Sequence, residues 1–339
     1  MMMPPARGPV SAWLAATLRQ APAPDTAVTV APPLPRQATA AWDDEDLQLA
    51  LWCCYELHYR GFEDVDEDWE SHPAVTALLA ALERPWVAAL RGLAGGSVQV
   101  PADRMPGELR DLIRGADGPD LAGYMARKAS REQFAEFAVH RSVYQLKEAD
   151  PHSFAIPRLD GAVKAALVEI QADEYGGGQP DRMHAELFRA TMRWLGLDDS
   201  YGFYVPEVPA VTLAVSNLMS LFALHRRWTG ALLGHLAALE MTSTEPNRLY
   251  SAGARRLGAG PDARRYFDEH VAADAVHEQI AAYDLCGGYA AGRPGSAAGI
   301  MFGAGCCLAL DAILARRLLS SWEAGRPTLL PSAEPGTAA

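Results

Sequence analysis

Cationic side chains are scarce: 30 Lys and Arg stand against 42 Asp and Glu, leaving a formal charge of −12. That balance argues against a nucleic-acid backbone or an anionic membrane surface as partner. Cysteine is scarce too. The five fall as Cys53-Cys54, Cys286 and Cys306-Cys307, an odd number without a CxxC, so neither a zinc ribbon nor a thioredoxin motif is present. This usage fits a reducing, cytoplasmic location. The apolar run around Ile300 to Leu310 stops at Asp311, well short of the roughly 20 residues of a bilayer-spanning helix, and reads as a core helix. The stretch from Met1 to Leu18 carries one Arg and an interrupted apolar segment, a poor secretory signal. No 20–50-residue repeat is visible.

What is abundant is Ala and Leu, in a chain that is 49% hydrophobic with few strand-like alternations. An all-α bundle follows. Residues 1–40 read as a mobile arm after a short amphipathic piece with Trp13 and Leu14, and 41–129 as a helical extension packed on the core. Residues 130–325 read as the main bundle and 326–339 as a loose tail. Ser130 and Gln133 form a capping box that opens a helix running to about Glu148. Asp160 starts a second helix, stopped by the Gly176-Gly177-Gly178 triplet, and Pro180-Asp181 start a third that closes at Gly196. A long apolar helix or broken pair covers 210–241 with Gly230 as the kink, and Pro261-Asp262 open another that ends at Gly287-Gly288.

Ionisable residues on the buried stripe of a helix are costly unless they have partners. His270, Asp274 and His277 lie at i, i+4 and i+7 on one face, in line with Phe267 and Leu285. Glu174 extends the row Val163, Leu167, Ile170, and the glycine break lets His184 restart in the next helix in line with Leu187 and Phe188. Glu148 follows Phe137 and Tyr144, and Glu240 continues Leu233 and Leu236. Any one of these has a plainer reading as a hydrogen-bonded core group. Together they make a carboxylate-rich O/N set without cysteine, suited to one or two divalent metals, as in di-iron or di-manganese bundles. The Glu-x-x-His pair of the ferritin-like arrangement is missing. Leu218, Leu221, Phe222 and Leu233 are expected to wall the pocket, and Glu56 and His58 in YELHYRGF read as packing, with Arg60 paired to an acid.

The series Glu148, Glu174, glycine break, His184, then His270-x3-Asp274-x2-His277, set in KEADPHSFAIPRL and EIQADEYGGG, resembles the heme-oxygenase-like di-iron oxidases and oxygenases. The resemblance covers roughly 130–322 and is nearest to the N-oxygenating branch, with the domain that forms the streptozotocin N-nitrosourea and the azomycin arylamine oxygenase. It implies a seven-helix bundle and an O2-dependent N-oxygenase of specialised metabolism, acting on a small-molecule amine. It further implies Glu148, Glu174, His184, His270, Asp274 and His277 as ligands of two irons, O2 as co-substrate and an external electron donor. Glu240 is placed beside them as a catalytic carboxylate and conditional ligand. Competing readings are C–H or C–C cleavage at the same centre, a metal-free helical interaction protein, and a true heme oxygenase, which would want one axial histidine and no carboxylate cage. Pairing into a homodimer through an apolar face is open to a bundle of this size.

Overall fold

A computed structural model describes residues 1–22, 40–95 and 100–331, without the side chains of 273–275. Runs of helical apolar period, cut by Pro, Gly and Asp, become helices throughout, and no strand occurs among the described residues. In chain order they are α1 (Pro9–Leu18), α2 (Glu45–Glu56), α3 (Pro73–Leu93), α4 (Met105–Gly115), α5 (Leu121–Arg127), α6 (Arg131–Gln145) and α7 (Asp150–Ser153). There follow α8 (Gly161–Glu174), α9 (His184–Leu195), α10 (Ala210–Leu224), α11 (Thr229–Arg256) and α12 (Pro261–Gln279). The last continues through a π-helical stretch, Ile280–Gly287, into α13 (Gly288–Gly292), and α14 (Ala297–Glu323) closes the set. Among the described residues, seven helices of 12 residues or more lie between Arg131 and Glu323, as a seven-helix bundle requires.

The capping box at Ser130 forms: its hydroxyl accepts from the Gln133 amide at 3.2 Å while the Gln133 side chain accepts from the Ser130 amide at 3.0 Å. The helix it opens ends at Gln145 rather than Glu148, so Glu148 sits in a turn. The third helix starts at His184, after a separate turn at Pro180–Arg182, and closes at Gly196 in the left-handed conformation. The break in the long apolar stretch falls at His225–Trp228, not at Gly230, and the second half runs on to Arg256. Gly230 is a packing position instead, with a Cβ there 3.4 Å from the Ser296 carbonyl. Tighter still are Gly234 and Gly303. A Cβ on either would come 1.9 Å from a backbone oxygen of the facing helix, so α11 and α14 meet backbone to backbone.

The two chain ends differ from the expected arm and tail. In α1, Val10, Leu14 and Leu18 are buried, and Asp46 of α2 accepts from the amides of Val10 and Ser11 at 2.8 and 2.7 Å. An aspartate from one helix thus caps the helix before it, a long-range contact with no local sequence signal. Residues 23–39 of the expected arm lie outside the described residues. In the tail, the amide of Thr328 donates to Glu136 at 3.0 Å and that of Leu330 to the Glu207 carbonyl at 2.7 Å, which ties 326–331 to the bundle. Residues 332–339 lie outside the described residues. α1 to α3 share one hydrophobic core with the bundle, through Trp52, Trp69 and Trp86.

By length and composition α3 and α14 are long and apolar enough to cross a membrane, so the apolar run around Ile300 belongs to a longer helix than its sequence limits suggest. Within the fold, α14 turns Ile300, Cys307, Leu310 and Leu314 into the core.

Candidate metal centre

Glycine makes the site possible. Gly176, Gly177 and Gly178 all take positive φ, of 66, 62 and 80°. A Cβ on Gly176 would lie 2.6 Å from the carbonyl carbon of Arg182, so the chain folds back on itself only because no side chain is there. That reversal brings His184, the first residue of α9, over Glu174, the last of α8. Nδ1 of His184 stands 2.9 Å from Oε2 of Glu174.

Around this contact two groups of ligand atoms assemble, each with its members within 4.8 Å of one another: Glu148, Glu174, His184 and His270, and Glu174, Glu240 and His277. Glu174 belongs to both. On α12, Nε2 of His270 is 3.7 Å from Glu148 Oε1, and Nδ1 of His277 is 3.4 Å from Glu240 Oε2 on α11. The backbone of α12 is helical through 270, 274 and 277. The side chain of Asp274 lies outside the described residues.

Outer partners orient these groups. His270 directs Nδ1 to the Tyr266 carbonyl at 2.8 Å, which makes that nitrogen an N–H donor and turns Nε2 toward Glu148. The Tyr266 hydroxyl donates to Glu148 Oε1 at 2.7 Å. Nε2 of His277 meets the exposed carboxylate of Asp173 at 2.9 Å, turning Nδ1 inward. The turn that carries Glu148 is clamped from two sides. Gln171 donates to the Ala149 carbonyl at 2.7 Å, and buried Lys147 pairs with buried Glu56 of α2 at 3.1 Å, an acid that also accepts from the Tyr201 hydroxyl at 2.7 Å.

Burial opposes the charge on Glu174, but His184, His270 and His277 around it hold its carboxyl down at about 2. The imidazole of His277 loses charge to burial and regains more from Glu240, Asp173 and Glu174, which together push it up to about 9. Both values belong to the protein without metal.

The residues fit a metal pair. Oε2 of Glu148 is buried without a hydrogen-bond partner among the described residues. Oε2 of Glu174 and Nδ1 of His184 are both buried and stand 2.9 Å apart, two donor atoms close enough to share one ion. Oxygen and imidazole donors without thiolate suit iron or manganese. Glu148, Glu174, Glu240 and His270 also form one part of the wall of a cavity of about 480 Å³, whose remaining wall includes Phe137, Leu236, Phe267 and Leu314.

A family model described as iron-containing redox enzyme matches residues 135–312, just over half of the chain. The chain belongs to that family. As an iron-containing redox enzyme of heme-oxygenase-like, all-α fold, it is an oxidoreductase, and the matched segment contains every residue of the two ligand groups. A search of the curated proteins finds no match.

Of the residues singled out in the sequence, Glu148, Glu174, His184, His270, His277 and Glu240 come together. Glu240 stands level with the others as a potential ligand beside His277. The expected pocket wall is corrected: Leu218 lines a separate small void beside Tyr144 and His235, and Leu221, Phe222 and Leu233 are core residues away from the main cavity. Glu56 does more than pack, through its pairing with Lys147, and Arg60 lies 3.8 Å from Asp150. Sequence reasoning passed over Tyr266, although it stands four residues before His270 on the same stripe. Asp173 gave no signal, being an exposed acid next to a more obvious one.

Proposed function

We propose that this chain is a non-heme di-iron oxygenase that uses O2 to oxidise the amine nitrogen of a small metabolite. The carrying observation is that Glu174 belongs to both ligand groups, as a carboxylate shared between two metals does. Glu148, His184 and His270 would hold one iron, and His277 and Glu240 the other, with Asp274 a further carboxylate from sequence. Bound iron supplies the O2 reduction that side chains cannot perform. With a two-electron donor the reaction balances as R–NH2 + O2 + 2 e⁻ + 2 H⁺ → R–NHOH + H2O. The chain's own part is to keep His270 and His277 in fixed tautomers through Tyr266 and Asp173, and to shield the reacting nitrogen from water behind Phe137, Leu236 and Phe267.

The experiment is anaerobic addition of two equivalents of ferrous iron, followed by O2 and a panel of amines. Oxygen consumption and products are read by electrode and mass spectrometry. A gain of one oxygen on nitrogen supports the reading. Products that lack hydrogen or carbon instead assign C–H or C–C cleavage, and failure to take up iron removes the di-iron centre altogether.

A further inference from the structure

The same cavity contains a cation that the centre does not use. Arg141 of α6 lines it, seven residues before Glu148 in the chain. Its guanidinium donates to the Tyr144 hydroxyl and lies 5.3 Å from the centre of the Phe137 ring, and Tyr250 lines the same wall. These partners are a phenol and an aromatic face. Among the described residues no carboxylate forms an ion pair with it. Asp311 of α14, which lines the same wall, acts on it only through space.

A guanidinium has five N–H donors in a planar fork and stays charged at any physiological pH. Its one hydrogen-bond acceptor is a neutral phenol, so most of the fork's N–H donors are left for an incoming anion, and Asp311 offsets its charge only through space. A single negative charge suits the site better than two, since Asp311 offsets part of the guanidinium's charge and its repulsion doubles for a dianion. We propose that Arg141, with the hydroxyls of Tyr144 and Tyr250, binds a carboxylate of the substrate. The substrate is then an amino carboxylate whose nitrogen faces the ligand groups while its carboxylate meets Arg141. The amine half of this statement rests on the oxygenase reading, whereas the carboxylate half rests on Arg141 alone.

The test separates the two. Hexanoate, its neutral isostere hexanamide, 6-aminohexanoate and hexyl phosphate are titrated into the full-length metal-free protein by calorimetry. Hexanoate and 6-aminohexanoate are expected to bind at least about tenfold tighter than hexanamide and tighter than hexyl phosphate. Arg141→Gln should weaken both carboxylates by about tenfold or more while leaving hexanamide unchanged. Arg141→Lys, which keeps the charge but loses the fork, should fall between. Equal binding of hexanoate and hexanamide to the unmodified protein, no binding of either carboxylate, or unchanged hexanoate affinity in a folded variant would each overturn the carboxylate site. A preference for hexyl phosphate would overturn the choice of carboxylate. If Arg141→Gln does not fold, the probe series on the unmodified protein and Arg141→Lys still decides. Arg141-dependent binding of hexanoate in a protein that never consumes O2 would leave this site standing and remove the oxygenase.

Discussion

Glu174 and His184 are ten residues apart in the chain and meet at 2.9 Å, across a glycine turn that no other residue could make. The contact ends one helix and begins the next, so each side chain projects from a terminus where the backbone has been held by the reversal.

Because Glu174 is common to both ligand groups, its loss should differ in kind from the loss of a terminal ligand. Glu174→Ala is expected to lower iron content toward none per chain, and His184→Ala to lower it toward half of the unmodified value, with helicity nearly unchanged in both. Metal analysis after reconstitution and circular dichroism check this. Full loading of both variants would refute the assignment.

Asp173 belongs to neither ligand group, yet fixes the ring of His277. Asp173→Asn should keep the fold and weaken iron binding by about tenfold or more, in the range found for outer partners of metal-binding histidines. A competition titration with a ferrous chelator reads it, and an affinity equal to that of the unmodified protein would show that the contact is incidental.

The metal-free protein should be pH-sensitive in a definite direction. His277, held up at about 9 chiefly against burial by Glu240, Asp173 and Glu174, contributes stability that is fully present below about 6.5 and is lost as pH rises through about 9. Glu174, held down at about 2, contributes stability present above about 4.5 and lost as pH falls toward 2. Since iron displaces the proton of His277, metal affinity should rise across the same alkaline window in which the metal-free protein loses stability. Thermal unfolding with and without metal from pH 6 to 9.5 tests both trends, and parallel slopes would contradict the linkage.

Gly303→Ala should destabilise by about 1–3 kcal/mol, because its Cβ would come 1.9 Å from the Ala231 carbonyl oxygen and force α11 and α14 apart. Since α11 carries Glu240, iron loading at the His277 side should fall with it. Chemical denaturation gives the first quantity and metal analysis the second. An unchanged midpoint would mean that the two helices can separate freely.

Removing Lys147 should be costly as well. Lys147→Met leaves the carboxylate of Glu56 buried with only the Tyr201 hydroxyl for company, a loss of about 3–5 kcal/mol, whereas Lys147→Met with Glu56→Gln should recover part of it. Denaturant midpoints of the single and double variants give the comparison. Equal losses in both would show that the charge pair is not what holds the turn.

The helical periodicity, the capping box at Ser130 and the glycine stop after Glu174 were all legible in the sequence, because each depends on residues within a few positions of one another. So was the inward aim of six polar residues, since an apolar stripe marks the buried face of any helix. Helix ends were read less well. Glu148 falls outside α6 because Gln171 and the Lys147–Glu56 pair, from elements far along the chain, hold its turn. The packed state of residues 9–18 depends on Asp46, and that of 326–331 on Glu136 and Glu207, partners no local window contains. Composition and spacing by themselves thus determined an all-α chain with acids and imidazoles on its buried faces. Only the tertiary structure decided that Glu174 stands between two groups of ligands, and that Arg141 faces the same cavity. The angles between helices are set by long-range packing such as the Gly234 and Gly303 contacts, and side chains from different helices converge only once those angles are fixed.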